Sequence, residues 1–159
     1  MPQIMKKEEI CSWILGNFDD VVMKESYDEI AFFYNKDEAL INGVYFLTIK
    51  ESNGPNDKAS QLDRSGVYRV SWQLSKKVFA EKFGQKPARP AKGASIDTTF
   101  SLDKLDTHLP HAVYGWMCWS MILSPSKATF SRLEPTIWEA YSASQDKFAM
   151  KTSHRSKGK

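Results

Sequence analysis

Two histidines three residues apart, His108 and His111, follow Asp106 and supply residue types that bind zinc or carry protons. Pro110 between them keeps a regular helix from presenting both rings on one face. The spacing H-L-P-H matches no zinc motif, so no metal is expected. The simpler role for His111 is a ring bonded to backbone where a loop enters a strand.

A second concentration of polar chemistry lies in GPNDKASQLDR, residues 54–64. Asn56, Asp57, Ser60, Asp63 and Arg64 suit ligand contact, although the stretch lacks the GxxxxGK[ST] pattern of a phosphate loop. The structural alternative is a turn in which Asn56 and Asp57 satisfy their own backbone and Asp63 pairs with Arg64. No GxSxG elbow, HExxH or dinucleotide GxGxxG occurs, so whether the chain is an enzyme stays open and no cofactor is implied.

The elements that must position these residues follow from periodicity. Ile10, Trp13 and Ile14 share a helical face over residues 6–16, with Glu8 and Glu9 at the positive end. DVVMKES, EIAFFYN and NGVYFLTIK read as strands, the last opened by the turn pair Asn42-Gly43. VYRVSWQL alternates, with Tyr68, Val70, Trp72 and Leu74 on one face and Arg69 on the other. Ser75 caps a short helix ending at Gly84, with Leu74 and Phe79 placed to staple it. SIDTTF is a further strand candidate, and Ser101 can cap a helical turn through LDKLD. The last strand spans about Val113 to Leu123, and Ser124-Pro125 opens a long final helix that Pro135 should kink or divide.

Alternation in that last strand separates two faces. Met117, Trp119, Met121 and Leu123 are expected on the helix-covered core side. Tyr114 and Trp116 then face a ligand, a partner or the chain's own loops. With Arg69 on that same face, and Asn56, Asp57, Arg64 and His111 at its rim, the expected site is a groove for a small planar or anionic ligand. It requires Arg69, His111 and Trp116 to border one concavity.

Strands that succeed one another without regular helical crossovers imply an α+β fold: an antiparallel sheet backed by helices, with an amino-terminal helix and a long C-terminal one. The 42% apolar and 26% charged residues are those of a folded domain. Residues 1–150 read as a single α+β domain, and residues 151–159 as a basic, disordered tail. Lys151, Arg155, Lys157 and Lys159 carry the charge excess, leaving 18 basic against 19 acidic residues in the body. That balance speaks against nucleic acid as the main partner, although KFGQKPARPAKG, with Lys82, Lys86, Arg89 and Lys92, keeps it as an alternative. The start has no signal-peptide pattern and no stretch is apolar enough to span a membrane, so a cytoplasmic location is expected. Cys11 and Cys118 are expected to be reduced. Exposed aromatics and open sheet edges make a homodimer plausible.

The strings IAFFYN, GVYFLTIKESNGPNDKAS, LDRSGVYRVSWQLSKKVF and LPHAVYGWMCWSMILSPSKATF resemble an uncharacterised bacterial family known only as a domain of unknown function. The resemblance runs from about Asp19 to Tyr141. More distantly, the layout is similar to the YjbR-like proteins, small cytosolic α+β domains. The resemblance implies an antiparallel sheet backed by helices and carries over no catalytic residues.

Overall fold

Alternating burial along the strands shows how the sheet divides the molecule. The computed structural model describes the backbone of residues 3–157 and the side chains of residues 3–153. Strands β1 (Val21–Glu25), β2 (Glu29–Tyr34), β3 (Val44–Lys50), β4 (Arg69–Gln73), β5 (Leu109–Pro110) and β6 (Trp119–Leu123) form one antiparallel sheet in the order β1-β2-β3-β4-β6-β5. Ile30, Phe32 and Tyr34 of β2 are buried, as are Ile49 of β3 and Val70 and Trp72 of β4. The expected α+β class with helices at both ends is the one observed.

Helices α1 (Lys7–Asn17), α2 (Lys76–Phe83) and α3 (Lys127–Lys157) supply the covering layer. Ile10 and Ile14 of α1 join Phe130, Leu133, Ile137, Ala140 and Tyr141 of α3 in one core with the inward residues of β2, β3 and β4. Phe18 ties the layers together, stacked on Tyr141 and edge-on to Trp13 and Phe46. Ser75 caps α2 by accepting from the Val78 amide at 3.1 Å, and Gly84 ends it at a φ of +83°.

Two turns depend on backbone freedom. Gly43 has a φ of +92°, and a Cβ there would lie 2.5 Å from the Tyr34 carbonyl oxygen, so the Asn42-Gly43 turn excludes any side chain. A register shift at Phe32/Phe33 lets consecutive residues Phe46 and Leu47 both face the core. That bulge resets the phase of β3, sending Tyr45 and Thr48 to the other face.

The final third differs from what periodicity suggested. Residues 95–100 form no strand; Ile96 donates its amide to the Ala112 carbonyl at 2.8 Å and stays in a loop. Residues 101–106 make turns rather than helix. The last strand begins only at Trp119, because Gly115–Met117 coil into a 3-10 turn and Cys118 follows in the left-handed region at a φ of +66°. Gly115 has a steric reason, since a Cβ there would press on Ile96 Cδ1 at 3.1 Å. The interruption inverts the face assignment: Trp119, Met121 and Leu123 pair opposite Gln73, Ser71 and Arg69, away from the helices.

The start of α3 is capped by Ser126, whose Oγ accepts from the Thr129 amide at 3.2 Å, rather than by Ser124. Pro135 does not divide the helix. Buried residues on both sides of it, Phe130 and Leu133 before and Ile137 and Ala140 after, hold the two halves against one sheet. The helical backbone continues through Lys157, where a structureless tail was expected from residue 151; residues 158 and 159 lie outside the described residues. No helix is long and apolar enough to cross a membrane among the described residues.

Candidate functional site

The sheet face turned away from the helices carries three lateral rows of side chains, set by register. Across β2, β3 and β4, Glu29, Lys50 and Arg69 are aligned as a charged row. One step along, Ala31, Thr48 and Ser71 form a row of small and hydroxyl side chains. The next row is aromatic, with Phe33, Tyr45 and Trp119, and Tyr45 and Trp119 stack at 5.6 Å and 23°. Loops 54–57 and 111–117 rise as walls, and the open cleft they border has a volume of about 480 Å³.

At the charged end of this floor lies a buried ion pair. Arg69, 3% exposed, donates from Nη1 to Asp57 Oδ1 at 2.9 Å and from Nη2 to Asp57 Oδ2, and its Nη1 also reaches Ser60 Oγ at 3.3 Å. Burial by itself would raise the Asp57 carboxyl, but the Arg69 hydrogen bonds and charge hold it below its ordinary value. Arg69 Nε is sealed with no partner among the described residues. The Gly54–Asp57 turn aims the carboxylate, with reciprocal backbone bonds of 3.1 and 3.2 Å between its two ends.

His111, also 3% exposed, is held from the other wall. The amides of Val113 and Tyr114 both donate to its Nδ1, at 3.1 and 3.0 Å. A nitrogen that accepts two N–H groups carries no proton, so the neutral ring keeps its hydrogen on Nε2. Burial first, and then the positive charge of Arg69, push its pKa well below the usual value. His111 is therefore a neutral donor with a fixed tautomer, and no described residue accepts from Nε2. Thr48 and Ser71 likewise make no side-chain hydrogen bond to a described residue, and both line the cavity.

A match to the family of unknown function DUF6194 spans residues 5–153, nearly the whole chain. The chain belongs to DUF6194. No curated protein and no solved structure matches it.

In this DUF6194 protein, five of the seven residues expected at a groove line the one cavity: Asn56, Asp57, Arg69, His111 and Tyr114. Arg64 and Trp116 do not line it. Arg64 spans loops by donating to the carbonyls of Gln61, Ser60 and Asp103, and Asp63 accepts from the Asn53 amide instead of pairing with it. Trp116 lies under the Arg89 guanidinium, 4.9 Å from its ring centroid, so the basic loop covers it. The demand that Arg69, His111 and Trp116 border one concavity fails at Trp116; the aromatic wall of this cavity is made by Tyr45 and Trp119 instead.

His108 and His111 part company. His108 stacks on Trp72 at 5.1 Å and meets Phe83 edge-on, and Asp106 accepts from the Ser126 amide at 2.7 Å. No cluster of three metal-ligand side chains exists among the described residues. Several cavity residues escaped sequence reasoning: Phe33, Tyr45, Thr48, Lys50, Ser71 and Trp119. The signal for Thr48 and Ser71 was present, since each stands between apolar neighbours on its strand as Arg69 does. Trp119 was hidden by the 3-10 turn, and Tyr45 by the bulge.

Proposed function

We propose that this DUF6194 protein is a binding module that holds a small ligand on the open face of its sheet. The observation that carries the reading is the convergence of His111 Nε2 and the Thr48 and Ser71 hydroxyls, all without partners among the described residues, in one cavity beside an aromatic row. Its volume of about 480 Å³ falls in the range of small-molecule sites. A buried ion pair such as Arg69–Asp57 adds little stability over apolar residues of the same size, which favours a role beyond folding. Asn56 and Tyr114 would complete the walls. The fixed tautomer also favours binding over base catalysis, because Nε2 offers a proton instead of taking one.

The YjbR-like likeness rests on the order of elements and on the antiparallel sheet backed by helices. Two unpaired cysteines, Cys11 and Cys118, support a reducing, cytoplasmic setting. Arg89 is engaged on Trp116, so part of the basic loop is already committed within the molecule and the nucleic-acid reading gains no support from it.

A fragment screen by protein NMR tests the proposal. Fragments that bind should shift the Trp119 indole N–H and the His111 ring signals, while signals from the outer surface of α3 stay in place. A screen whose hits leave both rings unmoved would overturn the reading.

A further inference from the structure

The three rows on the open face differ in chemistry, and the difference has a direction. The aromatic row offers flat apolar area, and the row beside it offers two hydroxyls at directly opposed positions, Thr48 and Ser71. Side chains so opposed have Cβ atoms about 5 Å apart, close enough for both hydroxyls to reach one group. His111 adds an N–H that its tautomer keeps as a donor. These unpartnered groups can all donate, and one of them cannot accept. A ligand must therefore bring acceptors.

The charges around the cavity sharpen the choice. Asp57 already spends both oxygens on Arg69, and Glu29 lies 3.9 Å from Lys50 at the rim. Lys24 covers the Phe33 ring, 5.1 Å from its centroid, so a cation already occupies the approach to the aromatic end. Lys50 and Arg69 bracket the other end from the charged row. Lys50 is itself held by Asp28 at 3.3 Å and Arg69 by Asp57, so each carboxylate of that end already has a cation. A ligand cation finds no free acceptor there among the described residues, whereas an anion finds the donors Thr48, Ser71 and His111 Nε2.

Resting on the binding reading above, we propose that the ligand is a flat aromatic ring bearing a single anionic group, of the aromatic carboxylate class. The ring lies against Tyr45 and Trp119, and the carboxylate accepts from Ser71, Thr48 and Nε2 of His111. The buried Arg69–Asp57 pair fixes the charged end of the site, its salt bridge holding the 54–57 wall in place.

Three probes with one ring system test the assignment on the full-length protein: naphthalene-2-carboxylate, 2-naphthamide and 2-naphthylmethylammonium, titrated by calorimetry and by NMR. The carboxylate should bind at least tenfold more tightly than either of the others, as expected for hydrogen bonds to a charged group. His111→Asn, whose side-chain oxygen can still accept from the 113 and 114 amides, should lose roughly tenfold in carboxylate affinity and only about two- to threefold in amide affinity, whose neutral carbonyl makes the weaker bond. Ser71→Ala, a small change that the fold tolerates, should show the same selective loss and covers the case in which the histidine variant misfolds. Amide or ammonium binding as tight as the carboxylate, with shifts at Trp119, would overturn the ligand class while leaving the binding site standing. If no probe shifts Trp119 or Tyr45, the site itself is refuted and the ligand class falls with it.

Discussion

At the scale of single residues, the two histidines show how position decides chemistry. Both are kept neutral by burial, but to different ends. His111 is fastened through Nδ1 and turns Nε2 toward a cavity. His108 has both ring nitrogens sealed without a partner among the described residues, stacked on Trp72 and close to Lys82, and burial followed by the Lys82 charge brings its pKa down to about 3. In the unfolded chain a histidine titrates near 6.5, so between about pH 3 and 6.5 the unfolded state binds a proton that the folded state refuses. The stabilisation is complete above about pH 6.5 and is lost as the pH falls. Asp57, lowered by Arg69, acts only in a more acidic range, below the ordinary carboxylate value. From pH 7 to pH 5 His108 should therefore cost the fold about 1–2 kcal/mol, with His111 adding a loss of the same sign. His108→Phe keeps a ring on Trp72 and removes the titration. Urea unfolding at the two pH values should show a smaller loss in the variant, and an identical loss would show that His108 is not desolvated in solution.

At the scale of elements, alternation made β2 and β4 legible, because Ile30, Phe32 and Tyr34, and Val70 and Trp72, recur at period two on the side the helices cover. Arg69 stood out for the same reason: a charge inside an apolar strand must find a partner or a function. That its partner would be Asp57 was not legible, since the pairing is made by a turn closing over the sheet. The stretch from residue 111 to 123 misled because Gly115 and Cys118 adopt conformations required by Ile96 and by the turn, not by their own neighbours in sequence. Three residues of 3-10 turn exchanged the two faces of β6. The consequence is measurable in two tryptophans that alternation alone would place together in the core. Trp72 has no exposed surface and donates to Thr136 Oγ1 at 3.0 Å, so Trp72→Ala should cost about 3–5 kcal/mol. Trp119 lies half-buried at the cavity against Tyr45, and Trp119→Ala should cost about 1 kcal/mol, the order of a lost aromatic pair. Chemical denaturation of both variants decides it, and equal costs would return Trp119 to the core.

At the scale of the whole molecule, the first and last helices pack on the same face of the sheet, and the approach to one is bound to the start of the other. The amide of Met5 donates to the Pro125 carbonyl at 2.9 Å, and Ile4 bridges to Ser126, so the approach to α1 is paired with the approach to α3. Tyr68 of the segment entering β4 donates its hydroxyl to the Met5 carbonyl at 2.6 Å, and Tyr141 of α3 donates to the Asp19 carbonyl at 2.7 Å. Trp13 of α1 meets Phe130 of α3 edge-on at 5.2 Å. Neither helix can leave without exposing the apolar surface that the other helps to bury, and that shared surface includes Ile10, Ile14, Phe130 and Ile137. The smaller clusters on the open face, Leu62 with Val67 and Leu123, and Leu109 with Ala112 and Met121, rest on β6, whose reverse side contributes Ile122 to the main core. Loss of the main core therefore removes the support of the cavity as well. Unfolding should be a single cooperative event, with far-UV circular dichroism, near-UV circular dichroism and tryptophan fluorescence giving one coincident transition in urea. A cavity signal from Trp119 that melts ahead of the helical signal would refute this, and would show the open face to be a separate unit laid over an independently stable core.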